Sequence, residues 1–136
     1  MAWVVDTVVL IDVLEHDPQF GTRSARLLDA RAGDGLVLCP ISYLELAPAF
    51  EGNAELQDEF LDGIGIDHRH DWSGEDTRQA YATWHGHVEN RRRGQVPKRP
   101  LADVLIGAFA SRFEGLITRN EKDFKKIFPE LTLRVP

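Results

Sequence analysis

Apolar and polar positions fall into short blocks that alternate between two periods. Trp3-Val4-Val5-Asp6 is an apolar run closed by an acid and predicts a buried strand. Val8 to Leu14 is apolar too, but one strand through both runs would be unusually long. A turn at Asp6-Thr7 and a helix through Glu15 are therefore expected, broken by Asp17-Pro18. Ser24 to Arg31 predicts a short helix stopped by Gly33-Asp34-Gly35, and Leu36 to Cys39 a second strand. Ser42 opens another helix that Pro48 kinks or breaks, followed by helical spacing over Ala54 to Leu61. Ile64 to Asp67 alternates as a third strand. Ser73 opens a long helix through Asn90, with Ala80, Trp84 and Val88 on its apolar face. Leu101 to Arg112 carries Ala102, Ile106, Phe109 and Phe113 along one face. Gly115 to Thr118 predicts a strand, Lys122 to Phe128 a short helix closed by Pro129, and Leu131 to Val135 a last strand.

Strands separated by helices predict an α/β fold: a three-layer α/β/α sandwich around a mostly parallel sheet. No repeat or interdomain linker interrupts the order, so residues 1–136 are read as one domain. In such sheets the ligand crevice lies beyond the carboxyl ends of the strands.

Composition narrows the function classes. Hydrophobic residues make up 43% and charged residues 28%, the balance of a globular protein. The net charge of -6 argues against gripping nucleic acid through an overall field. Such an activity would need a local basic patch, a metal, or both. One cysteine rules out an internal disulfide, and Cys39 reads as a core residue in a reducing, cytoplasmic setting. No apolar run approaches the roughly 20 residues of a membrane helix, and Met1 to Asp6 reads as a strand rather than a signal peptide.

Against this background the acids stand out. Asp6 ends the first strand, and Glu45 lies one turn into the helix after the second. Asp103 lies in the first turn of the helix from Leu101, and Asp123 just beyond the strand at Leu116-Ile117-Thr118. Each has a plainer reading. Asp6 could cap a helix. Ser42-Tyr43-Leu44-Glu45 has the form of a capping box, in which Glu45 bonds back to the Ser42 amide. Asp103 suits a helix dipole, and Asp123 could be a cap or a surface residue. Their convergence on one rim favours a shared role. Clustered carboxylates repel, a divalent cation removes the conflict, and oxygen ligands without Cys or His favour magnesium or manganese.

At these residues the chain resembles a PIN-domain ribonuclease, specifically the toxin of VapBC-type (virulence-associated) toxin–antitoxin pairs. Four blocks carry the resemblance in order: Val4 to Asp12, Ile41 to Leu46, Leu101 to Ala110, and Thr118-Arg119-Asn120-Glu121-Lys122-Asp123-Phe124. The resemblance implies a magnesium-dependent endoribonuclease whose metal is held by Asp6, Glu45, Asp103 and Asp123. Asn120 would be a neutral oxygen ligand, and Thr7 or Thr118 would orient water or phosphate. It also implies RNA as substrate, a small antitoxin as partner and a homodimer. A non-catalytic PIN-like module and an acidic-pocket phosphatase are the alternatives. The haloacid dehalogenase type expects Asp-x-Asp after the first strand, where this chain has Asp6-Thr7-Val8.

His68-Arg69-His70-Asp71 reads as a polar surface loop, and Trp72 and Trp84 as core or interface anchors. Arg91, Arg92, Arg93, Lys98 and Arg99 form the basic run and lead into the helix bearing Asp103. If this run meets an RNA backbone, reversing the charges of Arg92 and Arg93 weakens RNA binding and flattens its salt dependence. Affinities measured at several salt concentrations check this.

Overall fold

A computed structural model describes residues 1–94 and 101–136. Lys98 and Arg99 of the basic run lie outside the described residues. The strands are β1 (Trp3–Val5), β2 (Leu36–Val37), β3 (Ile66–Asp67), β4 (Gly115–Ile117) and β5 (Leu133–Arg134). The helices are α1 (Thr7–Leu14), α2 (Gly21–Arg31), α3 (Pro40–Glu45), α4 (Ala54–Gly63), α5 (Gly74–Arg92), α6 (Leu101–Ala110) and α7 (Glu121–Ile127). All strand pairs are parallel, in the order β3-β2-β1-β4-β5. The chain thus runs outward from β1 to β3, then returns to the other side of β1 for β4 and β5.

Strand alternation sorts the core into two layers. Trp3, Val5, Leu36, Leu38 and Ile117 pack with Val9 and Leu10 of α1, Leu28 of α2 and Leu61 of α4. Val4, Val37 and Leu116 point to the opposite face, onto Ala80 of α5, Val104, Ala108 and Phe109 of α6, and Phe124 of α7. Helices on both faces make the three-layer α/β/α sandwich that the element order predicts.

Several boundaries move for local reasons. The helix expected from Ser24 begins at Gly21, because the Asp17 carboxylate accepts from the amides of Gln19 and Phe20 and turns the chain early. The strand expected from Ile64 shrinks to Ile66–Asp67, because Gly65 takes φ +77° in the turn out of α4. The helix expected from Ser42 begins at Pro40, whose fixed φ suits a first helical position. Pro48 opens a separate 3-10 turn, Ala47–Phe50, as its missing N–H requires.

His68 departs from the surface reading: its side chain is 3% exposed and stacks on Tyr43. Nε2 of His68 lies 2.9 Å from Asp62, and the Tyr43 hydroxyl donates to Asp58, so this loop is tied down on α4. Trp72 and Trp84 are half-buried against the α5–α6 layer. His85 is exposed and His87 buried, as a separation of two on a helix requires.

Gly107 of α6 packs against the residue that follows α7, so that an added Cβ would clash with the ring of Phe128. Gly107→Ala is therefore expected to destabilise the fold by about 1–3 kcal/mol, the usual cost of overpacking a close-packed core. Urea unfolding midpoints measure this.

Candidate active site

The carboxyl ends of β1 and β4 are neighbours at the point where the strand order reverses. Connections leaving β1 and β4 diverge there and open a crevice. Asp6 follows β1 directly and is 6% exposed. Its backbone occupies the N-cap position of α1, but its side chain makes no capping bond. Instead Oδ2 accepts a 2.7 Å hydrogen bond from the buried hydroxyl of Thr118, which follows β4. The same Thr118 oxygen accepts from the Asn120 amide at 3.0 Å. Asn120 repeats the pattern of Asp6: it holds the N-cap position of α7 without a side-chain cap.

Thr7, the next residue after Asp6, donates its hydroxyl to Glu45 Oε1 at 2.7 Å. This settles the competition over Glu45. With Cys39 as N-cap and Pro40 first in α3, Ser42 is already inside the helix, and no Ser42–Glu45 capping box forms. Glu45 instead ends α3, where a negative charge gains nothing from the helix dipole. Asp103 lies half-buried in the first turn of α6, where the dipole favours it.

Asp6, Thr7, Glu45, Asp103 and Asn120 line one cavity of about 480 Å³, together with Val8, Ile11, Phe20 and Arg119. Asp123 lies half-buried in the first turn of α7 and is not part of that lining. Arg91 and Arg92 end α5 and Arg93 follows it, all exposed and none lining the cavity. Arg92 pairs weakly with Glu89 at 3.7 Å.

Two residues escaped the sequence reading. Arg119 reaches the cavity, with Nε 2.9 Å from the Asp12 carboxylate and the guanidinium 4.7 Å over the Phe20 ring. Asp12 reads locally as one polar interruption of an amphipathic helix, and only the tertiary pairing marks it out. By contrast Cys39 is fully buried, and burial pushes its thiol up to about 11, as an inert core residue.

The electrostatics of the cavity centre on Asp6. Burial pushes its carboxyl up to about 6; the Thr118 hydrogen bond opposes this, and the charges of Asp103 and Glu45 add to it. The donors are carboxylate, amide and hydroxyl oxygens, with neither His nor Cys among the lining residues. That set fits a hard divalent cation. Among the described residues no group of three or more His, Cys, Asp or Glu side chains is gathered closely enough to hold a metal ion together. Magnesium suits this openness, because it keeps several waters and takes only one or two carboxylates directly.

A carboxyl that is harder to ionise in the folded state than its usual 3.8 lowers stability as pH rises. The penalty is absent below about 4, grows until about 6, and is then complete. A displacement of roughly two pH units corresponds to about 3 kcal/mol. Asp6→Asn, which keeps an acceptor for Thr118, is expected to be more stable than wild type at pH 7 in chelator. The advantage should vanish towards pH 4, as read from urea midpoints across that range.

No protein-family model matches this chain, and no curated protein matches it in sequence. Among solved structures, a chain of VapBC2 from Rickettsia felis bound to a DNA fragment from their promoter matches with a TM-score of 0.71. The match covers 100% of this chain and 99% of that one at 23% identity. The two chains therefore share a fold over their length: the α/β/α sandwich that the strand and helix order implies, of the PIN-like kind that the resemblance implies.

Proposed function

We propose that this protein is a divalent-metal-dependent endoribonuclease that hydrolyses RNA phosphodiesters as the toxin of a type II toxin–antitoxin pair. The observation that carries the reading is the gathering of Asp6, Glu45, Asp103 and Asn120 in one crevice at the switch point of a parallel sheet. Its fold is shared with a chain of the VapBC2 complex. Asp6, Glu45 and Asp103 would hold Mg2+ or Mn2+, with the Asn120 side chain as a neutral oxygen donor and Asp123 as an outlying member. When bound, such an ion activates water and stabilises charge on a phosphate.

The chain's own residues do the positioning. Thr118 fixes one oxygen of Asp6. Thr7 likewise fixes one oxygen of Glu45. Both hydroxyls donate, so both carboxylates are held as acceptors. A small antitoxin protein and a homodimer belong to the same reading, as does a cytoplasmic location. The acidic crevice suits a basic antitoxin segment. Among the described residues no helix is long and apolar enough to cross a membrane.

The test is cleavage of single-stranded RNA in Mg2+, in chelator, and by variants. Asp6→Asn and Asp103→Asn should abolish cleavage, and chelation should do the same to wild type. Equal cleavage by wild type and both variants would mean a contaminating nuclease and sink the reading. Asp123→Asn is expected to keep more activity than Asp103→Asn, because Asp123 stands outside the cavity lining. Thr118→Val should cost roughly 10–100-fold in Mg2+ affinity or rate, the usual loss when a ligand's hydrogen-bond partner is removed.

A further inference from the structure

The cavity is walled by three carboxylates, yet an RNA strand brings more negative charge to it. Among the described residues that line it, Arg119 is the one cation. We propose that Arg119 is the phosphate-positioning residue of this site, donating from Nη1 to a non-bridging oxygen of an RNA phosphodiester. This rests on the nuclease reading above.

The geometry of Arg119 is that of a pre-set donor. Its backbone follows Thr118, whose amide donates to the Arg134 carbonyl at 3.0 Å and whose hydroxyl holds Asp6. The guanidinium is paired along one edge: Nη2 donates to Asp12 Oδ1 at 3.3 Å, and Nε stands 2.9 Å from Oδ2 as an ion pair without hydrogen-bond alignment. One face is fixed as well, by the Phe20 ring 4.7 Å away. Phe20 and Ile11 also line the cavity, so this anchor is part of the wall. Among the described residues Nη1 has no hydrogen-bond partner. A third of the Arg119 side chain (34%) is exposed, whereas its anchor Asp12 is only 4% exposed.

This division matters. A buried carboxylate and an aromatic ring remove the rotameric freedom that would otherwise be lost on binding. What remains free is one end of a planar, always-charged fork whose shape matches a phosphate. A lysine would lose both the edge pairing and the stacking. The cation also stands on a different wall element from Glu45 and Asp103, so substrate charge can be met from two sides.

The experiment compares wild type with Arg119→Gln, Arg119→Lys and Asp12→Asn on a single-stranded RNA oligonucleotide at saturating Mg2+. Each variant's melting temperature is measured alongside. Loss of one charge-assisted hydrogen bond should raise KM for Arg119→Gln about 10-fold or more. The slope of log(kcat/KM) against log[salt] should flatten by about 0.7, one phosphate contact on a single strand. The Mg2+ concentration for half-maximal rate should stay within about twofold of wild type, unlike that of Asp103→Asn. Arg119→Lys keeps the cation but loses the anchor, and Asp12→Asn keeps the Arg119 cation while weakening the pairing that holds it, so in both KM should rise while the salt slope is retained. A merely structural Arg119 would lower the melting temperature and leave KM and salt slope as in wild type, which overturns the assignment. If Arg119→Gln does not fold, Arg119→Lys decides: a raised KM supports the assignment and a wild-type KM overturns it. A wild type that cleaves no RNA overturns the nuclease reading and this assignment together. Cleavage by wild type with an indifferent Arg119→Gln overturns the assignment alone.

Discussion

The hydrogen bond from Thr118 to Asp6 joins residues 112 positions apart in the chain. It spans the ends of β1 and β4, the two central strands on which the connectivity turns. Around it the candidate site forms a short network. The Asn120 amide donates to the Thr118 oxygen, and Thr7, next to Asp6, donates to Glu45. Three hydrogen bonds thus gather residues from the β1–α1 turn, the end of α3 and the turn into α7. Both threonines are buried, so their hydroxyls must find partners, and each finds one on the site. The register Val5↔Ile117 aligns the two strand ends, and without it the network could not close.

Holding this network costs stability elsewhere. Asp6 and Asn120 both occupy N-cap positions and forgo capping. An N-cap side chain contributes typically about 1 kcal/mol, so the sacrifice is measurable. Nothing in the fold forbids caps: Asn53 accepts from the Leu56 amide, and Ser73 forms a full capping box with Asp76. Asp6 and Asn120, both of which line the crevice, have side chains able to cap and do not. Asp6 adds a second cost, because it is buried beside Asp103 and Glu45 and resists ionisation up to about pH 6. Local rules broken together at one place are what a functional site is expected to show.

Much of this was legible because it is local. Apolar runs ending in acids located Asp6 at the end of β1, and periodicity located Asp103 on α6. The alternation of elements gave the three layers. What escaped depends on distance. The capping-box reading of Ser42 to Glu45 overlooked Pro40, which starts α3 two residues earlier. Asn120 and Asp123 are three residues apart on one helix start, and no spacing rule says which faces the crevice. The Arg119–Asp12 pair spans 107 residues, and the part-buried Arg112–Asp76 pair that ties the turn after α6 to α5 spans 36. Both look from the sequence like charges on solvated surfaces.

The position of Val8 bears on the rival chemistry. A phosphatase of the haloacid dehalogenase type expects a second acid two residues after the first, and here that place is Val8, which lines the cavity. An apolar side chain there can neither protonate a leaving group nor hold a metal. The remaining acids come from other elements, Glu45 from α3 and Asp103 from α6, and approach Asp6 from the sides. An acid–base pair on one turn suits transfer through a single nucleophile. Carboxylates spread around an open crevice, two of them held by threonine hydroxyls, would suit holding a hard divalent cation.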